Sequence, residues 1–170
     1  MNKIKKTDQF LKELGKISKD KVVYLDETGF DQYLYRTHGR APKGVKVEGF
    51  VSGKRFRRTS LVAGLVNRKT LIAPFQYEGT MDSDFFEYWF ATQLLPELPE
   101  NSVIVMDNAR FHRKSQLKVI LSGTGHRLLF LPPYSPDLNP IEKYWATLKK
   151  KMRKILRCFS TFEEAFFSLF

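Results

Sequence analysis

Three acidic side chains stand where this sequence could do chemistry. Asp26 lies at the end of a short apolar, β-branched run (KVVYLDE, Lys21 to Glu27), and Asp107 closes another (VIVMD, Val103 to Asp107). Each run reads as a buried strand. If the two strands are neighbours in one sheet, both carboxylates emerge at the same edge, where open α/β sheets place their ligands. Glu142 opens a helix after the proline-rich turn PPYSPDLNP. Three carboxylates brought together repel one another and resist ionisation unless a cation sits among them. Hard divalent cations take such oxygen ligands. In phosphoryl transfer a pair of these ions activates the attacking oxygen and stabilises the leaving one. A metal-dependent nuclease or strand transferase is the chemistry this set allows.

Each residue also has a plainer reading. Asp26 and Asp107 can be ordinary turn-forming aspartates at strand ends. Asn139 can cap the helix, Pro140 suits its first position, and Glu142 then falls where a capping-box glutamate belongs. Spacing leaves both readings open.

The elements that must carry these residues follow from pattern. The first strand is expected to stop at the turn Thr28-Gly29, with Asp26 at its C-terminal end. Residues 30 to 58 mix Gly, Pro, aromatics and cations without a period and read as an irregular, partly hairpin-like insertion. SLVAGLV (Ser60 to Val66) and TLIAPFQY (Thr70 to Tyr77) form a hairpin around Asn67-Arg68-Lys69, and Pro74 marks the second run as an edge strand. Asp82 or Ser83 caps a helix whose aromatics face the core and which ends near Pro96. A helix from Arg113 to Leu121 and a strand from Arg127 to Leu131 follow. The last long helix carries Ile141, Tyr144, Trp145, Leu148, Met152 and Ile155 as one apolar stripe. A short final helix after Ser160-Thr161 is expected to be cut off by the chain end. The economical architecture is α/β: a mixed central sheet with helices on both faces.

Composition narrows the partners. In 170 residues, 29 Lys and Arg face 18 Asp and Glu, a formal charge of +11, which favours a polyanion such as nucleic acid. Cys158 is the only cysteine, so no intrachain disulfide forms. With His38, His112 and His126 as the only histidines beside that one cysteine, a dedicated structural zinc site is not expected. The basic first residues lack a signal peptide's apolar core, and no apolar run is long enough to span a bilayer. A cytoplasmic, nucleoid-associated protein with no membrane partner is expected.

The strings around the three acids carry a resemblance. LDETGF (Leu25 to Phe30), VMDNARFH (Val105 to His112) and LPPYSPDLNPIEKYWATLK (Leu131 to Lys149) resemble the signature blocks of mariner-type insertion-sequence transposases of the DDE superfamily, and 34 residues separate Asp107 from Glu142, as in that group. The resemblance runs from about Val22 to Lys151. It implies an RNase H-like fold and a triad of Asp26, Asp107 and Glu142 holding Mg2+ or Mn2+, as two ions. The implied activity is hydrolysis and then strand transfer at transposon ends. Double-stranded DNA, both transposon ends and target, is the implied partner, bound by a homodimer. Glu27, Asn108 and His112 fall in the matching strings and are expected to orient ligands or substrate; a plain helix-start histidine is the other reading of His112. Residues 1–20 are expected to be a basic lead-in and residues 21–170 the catalytic domain. Family members carry N-terminal helix-turn-helix modules for which that lead-in is too short, so a piece of a longer protein or one product of a split frame is expected.

Two basic clusters are expected to touch phosphates: Lys54, Arg55, Arg57 and Arg58, interleaved with Phe56, and Lys149, Lys150 and Arg153 on the last long helix. For the second cluster a solvated helix face is the alternative. An active transposase domain stands against a catalytically silent DNA-binding remnant, and all three acids being intact favours the first. A nuclease of RNA hybrids is disfavoured by the proline-rich block.

Overall fold

The computed structural model describes residues 3–31, 43 and 58–170. Its strands are β1 (Val22–Asp31), β2 (Arg58–Val66), β3 (Thr70–Glu78), β4 (Val103–Met106) and β5 (Arg127–Phe130), joined in one sheet of order β3-β2-β1-β4-β5. β1, β2 and β3 pair antiparallel, whereas β4 runs parallel to both β1 and β5. The sheet is therefore mixed, as expected. Its helices are α1 (Lys3–Leu14), α2 (Ser83–Trp89), α3 (Leu95–Glu97), α4 (Lys114–Ile120), α5 (Ile141–Ile155) and α6 (Phe162–Phe167). A π-helical turn, Phe90–Leu94, joins α2 to α3, so the helical run ends at Pro96-Glu97 as its proline predicts.

Side chains alternate across a strand, and here both faces are covered. Val22, Tyr24 and Phe30 of β1, with Val103 and Val105 of β4, pack under α1, α5 and α6. Leu25, Ile104 and Met106 point the other way, into the aromatic face of α2 and Leu117 of α4. On α5 the buried residues are Ile141, Trp145, Leu148 and Met152, four of the six in the apolar stripe. Burial of each such side chain contributes about 1.5–3 kcal/mol, which fixes which way α5 faces and so where Glu142 goes.

The hairpin turns through Asn67 and Arg68, both at positive φ (52° and 58°), and Lys69 N donates to Val66 O at 3.0 Å. β3 is an edge strand, and its ladder with β2 slips between Val62 and Gly64, beside Pro74. Gly64 is needed there: an added Cβ would lie 3.0–3.1 Å from Ile72, Val23 and Leu94 side chains, so the helical run could not sit as close to the sheet.

One expectation fails. β1 does not turn at Thr28-Gly29; it runs on to Asp31, because β2 pairs with it through Thr28↔Leu61 to Asp31↔Arg58 and an antiparallel partner keeps the Thr-Gly step extended. Residues 1–20 contain the helix α1, and Phe10 on it is 4% exposed, within the core under α5. Most of the expected insertion at 30 to 58 lies outside the described residues; Phe30 is fully buried. Among the described residues no helix is long and apolar enough to cross a membrane.

Candidate active site

Register brings the two aspartates together. β1 and β4 pair in parallel up to Tyr24↔Val105, and continuing that register by two residues sets Asp26 beside Asp107 on strands about 4.8 Å apart. Asp26 shares a face with Tyr24, toward α5. Asp26 is thus not at the end of β1, as expected from the sequence, but in mid-strand where its pairing with β4 stops. Glu142 enters in the first turn of α5. Asp26, Asp107 and Glu142 line one cleft of about 460 Å³, completed by Asn108, Asn139 and the Leu131-to-Pro136 turn.

The charges respond to this gathering. Burial, then the Glu142 and Asp107 carboxylates, push the Asp26 carboxyl up to about 7, against hydrogen bonds from the Glu27 backbone and Trp145. Asp107, 56% exposed at its side chain, moves the other way, lowered chiefly by His112. His112 Nδ1 stands 3.1 Å from Asp107 Oδ1 and Nε2 stands 3.6 Å from Glu27 Oε1. Neither contact is a proper hydrogen bond, the one to Glu27 being too long, so the ring nitrogens and Glu27 Oε1 are left without one. Burial lowers the His112 pKa, but the two carboxylates outweigh it and raise it overall.

These residues fit a hard cation by chemistry more than by closure. An all-oxygen donor set in which Asp26 resists ionisation lacks positive charge, which a divalent ion supplies. Among the described residues, however, no three acidic or imidazole groups are drawn together as a formed metal cluster.

The other expected residues divide. Glu27 and His112 come from the α2 side of the sheet, His112 packed 4.3 Å from the Phe86 ring, and of the two it is His112 that contacts Asp107. Asn108 ties the loop after β4 to β5 through Nδ2 donating to Leu131 O at 2.8 Å. Asp107 also accepts from Ala109 N at 3.0 Å, so its turn role and its place in the cleft coexist. The capping reading of Glu142 finds no support: α5 has no side-chain cap bond, and Asn139 instead donates from Nδ2 to Leu25 O at 3.4 Å. Lys54, Arg55 and Arg57 lie outside the described residues. Arg58 is exposed on β2, its guanidinium lying across Gly29 of β1; strand alternation puts it on the α2 face, away from Asp26. Lys149 is half-buried with Nζ 5.7 Å over the Phe30 ring, while Lys150 and Arg153 are exposed. Arg153 lies ~16 Å along α5 from Glu142, about five base pairs of duplex.

Sequence reasoning missed three residues. Trp145, read only as core, donates from Nε1 to Asp26 Oδ2 at 3.1 Å; the signal available was a tryptophan on a buried face, whose N–H must find an acceptor. Asn139 is the second. The third is Arg113, whose Nε and Nη2 hold Glu87 Oε1 and Oε2 at 2.6 Å each and which also contacts Asp84. This fork pins the residue after His112 to α2. Arg113→Ala leaves the buried Glu87 unpaired, and we expect a melting temperature lower by about 2–4 °C, partly restored in Arg113→Ala/Glu87→Gln. No restoration in the double variant would show that the two residues are not coupled.

A model of the DDE superfamily endonuclease family matches residues 21–165. Over 49 residues, 29% of this chain and 34% of the relative, the sequence is 41% identical to an uncharacterised protein, y4pE/y4sA, of Sinorhizobium fredii. Among solved structures, a pre-cleavage Mos1 transpososome superposes with TM-score 0.67 at 15% identity, covering 99% of this chain and 59% of that one. The Mos1 transposase paired-end complex with left transposon end gives 0.64 at 17% identity, over 87% and 47%. The Mos1 catalytic domain with Raltegravir and Mg gives 0.63 at 16%, over 95% and 75%. These likenesses show the RNase H-like fold. The chain spans about half the length of the full transposase chains it matches.

Proposed function

The chain belongs to the DDE superfamily endonuclease family, and from that membership we propose that residues 21–170 are the catalytic domain of a DNA transposase. It cuts double-stranded DNA at transposon ends and joins the ends to target, using Asp26, Asp107 and Glu142 to hold two Mg2+ or Mn2+ ions. The observation that carries this reading is the single cleft shared by the three carboxylates at the end of the β1/β4 pairing. Divalent metal use is what the family implies, and Mos1 complexes with Mg and with Mn share the fold.

When bound, the ions activate the attacking oxygen and stabilise the leaving one. The chain's own groups do the rest. Trp145 fixes the Asp26 carboxyl, His112 sets an imidazole between Asp107 and Glu27, and Asn108 fixes the loop that carries Asp107. Exposed Lys150 and Arg153 continue from the cleft along α5 and suit phosphates of the bound duplex. We place its action in the cytoplasm at the nucleoid, as a homodimer on paired ends.

Nicking of supercoiled DNA under a metal titration tests the reading. Nicks are expected with Mg2+ or Mn2+ and none in EDTA; intact DNA at every metal concentration leaves a silent DNA-binding remnant. Binding to random duplex should weaken linearly in log–log form with salt. Neutralising about four phosphates corresponds to a loss of roughly 100-fold between 50 and 200 mM. A flat salt response would contradict phosphate-led binding.

A further inference from the structure

The chain entering α5 grips β1 at two points that bracket Glu142. Asn139 donates from Nδ2 to the carbonyl of Leu25, the residue before Asp26, at 3.4 Å, and Trp145 donates from Nε1 to Asp26 Oδ2 at 3.1 Å. Glu142 stands three residues after the first and three before the second, and on a helix residues three apart are neighbours. Asn139 and Trp145 are 4% and 2% exposed.

Packing alone does not explain either residue. The chain's other tryptophan, Trp89, satisfies its buried N–H on a backbone carbonyl, Ala73 O at 3.1 Å. Trp145 gives its N–H, at the same 3.1 Å, not to backbone but to the side-chain carboxyl of Asp26, which lines the cleft. Asn139 is buried with Oδ1 lacking a protein partner, although it lines the carboxylate cleft. A side chain kept only to fill space would be apolar there.

The geometry points to a positioning latch: Asn139 and Trp145 lock α5 onto β1 so that Glu142 and Asp26 stand at one fixed separation, preset for a divalent cation. This role rests on the metal-dependent reading proposed above. Each residue acts through the carboxylate it positions. Losing such an outer partner typically lowers metal affinity or activity by about 10–100-fold.

The test compares Trp145→Phe, which keeps a ring in the core and removes the N–H, with Leu148→Ala on the same buried face of α5. Mn2+ affinity is measured by calorimetric titration on the uncut protein, alongside kcat and KM for nicking. Trp145→Phe is expected to weaken Mn2+ binding by about 10-fold and lower kcat by about 10–100-fold, with KM for DNA unchanged. Asn139→Ala should act in the same direction. Leu148→Ala should lower the melting temperature and leave Mn2+ affinity at the wild-type value. Wild-type Mn2+ affinity and kcat in Trp145→Phe would overturn the latch alone, as would an equal loss of Mn2+ affinity in Leu148→Ala. If the wild-type protein binds no Mn2+, the metal reading itself fails and the latch with it.

Discussion

Asp26→Asn is expected to lower metal-dependent nicking by at least ~10³-fold, the scale of removing several kcal/mol of metal-borne charge stabilisation, while DNA affinity holds or rises. Asparagine keeps the shape and can still accept the Trp145 N–H, so what is lost is the charge. The same variant has a signature in stability. With its carboxyl pushed up to about 7 from 3.8, folded Asp26 keeps its proton over a range where the unfolded chain has released it. The folded state then binds more protons than the unfolded one, so the fold loses stability as pH rises from about 4 to about 7 and levels off above. At about 1.4 kcal/mol per pH unit that interval corresponds to about 4 kcal/mol. In EDTA, melting followed against pH should therefore fall more steeply across this window in the wild type than in Asp26→Asn. Equal slopes would mean that Asp26 is not held protonated by burial and by its acidic neighbours. Wild-type nicking by Asp26→Asn would remove it from the triad.

Glu142→Gln should bring a comparable collapse of cleavage with almost no change in the metal-free protein. A capping glutamate can be replaced by glutamine with its hydrogen bond kept, but α5 has no such cap bond to keep. Removing the charge also relieves the repulsion that Glu142 exerts on Asp26. The apo stability should stay within about 0.5 kcal/mol of wild type or rise, and the melting shift on adding Mn2+, which measures binding to the folded state, should shrink. A real capping box exists at α6, where Thr161 Oγ1 accepts from Glu164 N at 3.2 Å and Glu164 Oε2 accepts from Thr161 N at 3.3 Å. Glu164→Gln is the matched control: full cleavage and an unchanged Mn2+ shift. Glu142→Gln behaving like that control would return Glu142 to a structural role.

Much of the frame could be read from the chain directly, because it depends on local rules. Alternating and continuous apolar runs mark β2, β3 and β4, the stripe on α5 marks its buried face, Pro74 marks an edge, and Pro96 marks a helix end. The three acids could be singled out because each follows or opens such an element, and the strings around them carried the family. The length of β1 was not legible, since Thr28-Gly29 turns or stays extended according to whether a partner strand is present. Nor was α1, whose single strongly buried residue, Phe10, is an anchor only once the core under α5 exists.

What the tertiary structure alone decided concerns pairs of residues far apart in the chain. Asn139/Glu142 and Thr161/Glu164 present the same local spacing, yet only the second closes a capping box, because Asn139 finds the Leu25 carbonyl, 114 residues away, and turns to it. Asp26 and Asp107 align because the β1/β4 register is fixed where the two strands bury their faces together, a property of the pair that neither string contains. The same alternation sends Glu27 to the opposite face, where His112 carries its influence back to Asp107. Sequence thus determined which groups carry charge and which elements hold them. Packing determined which groups meet, since a hydrogen bond such as that from Trp145 to Asp26, across 119 residues, forms only after two separately buried faces have fixed each other's position.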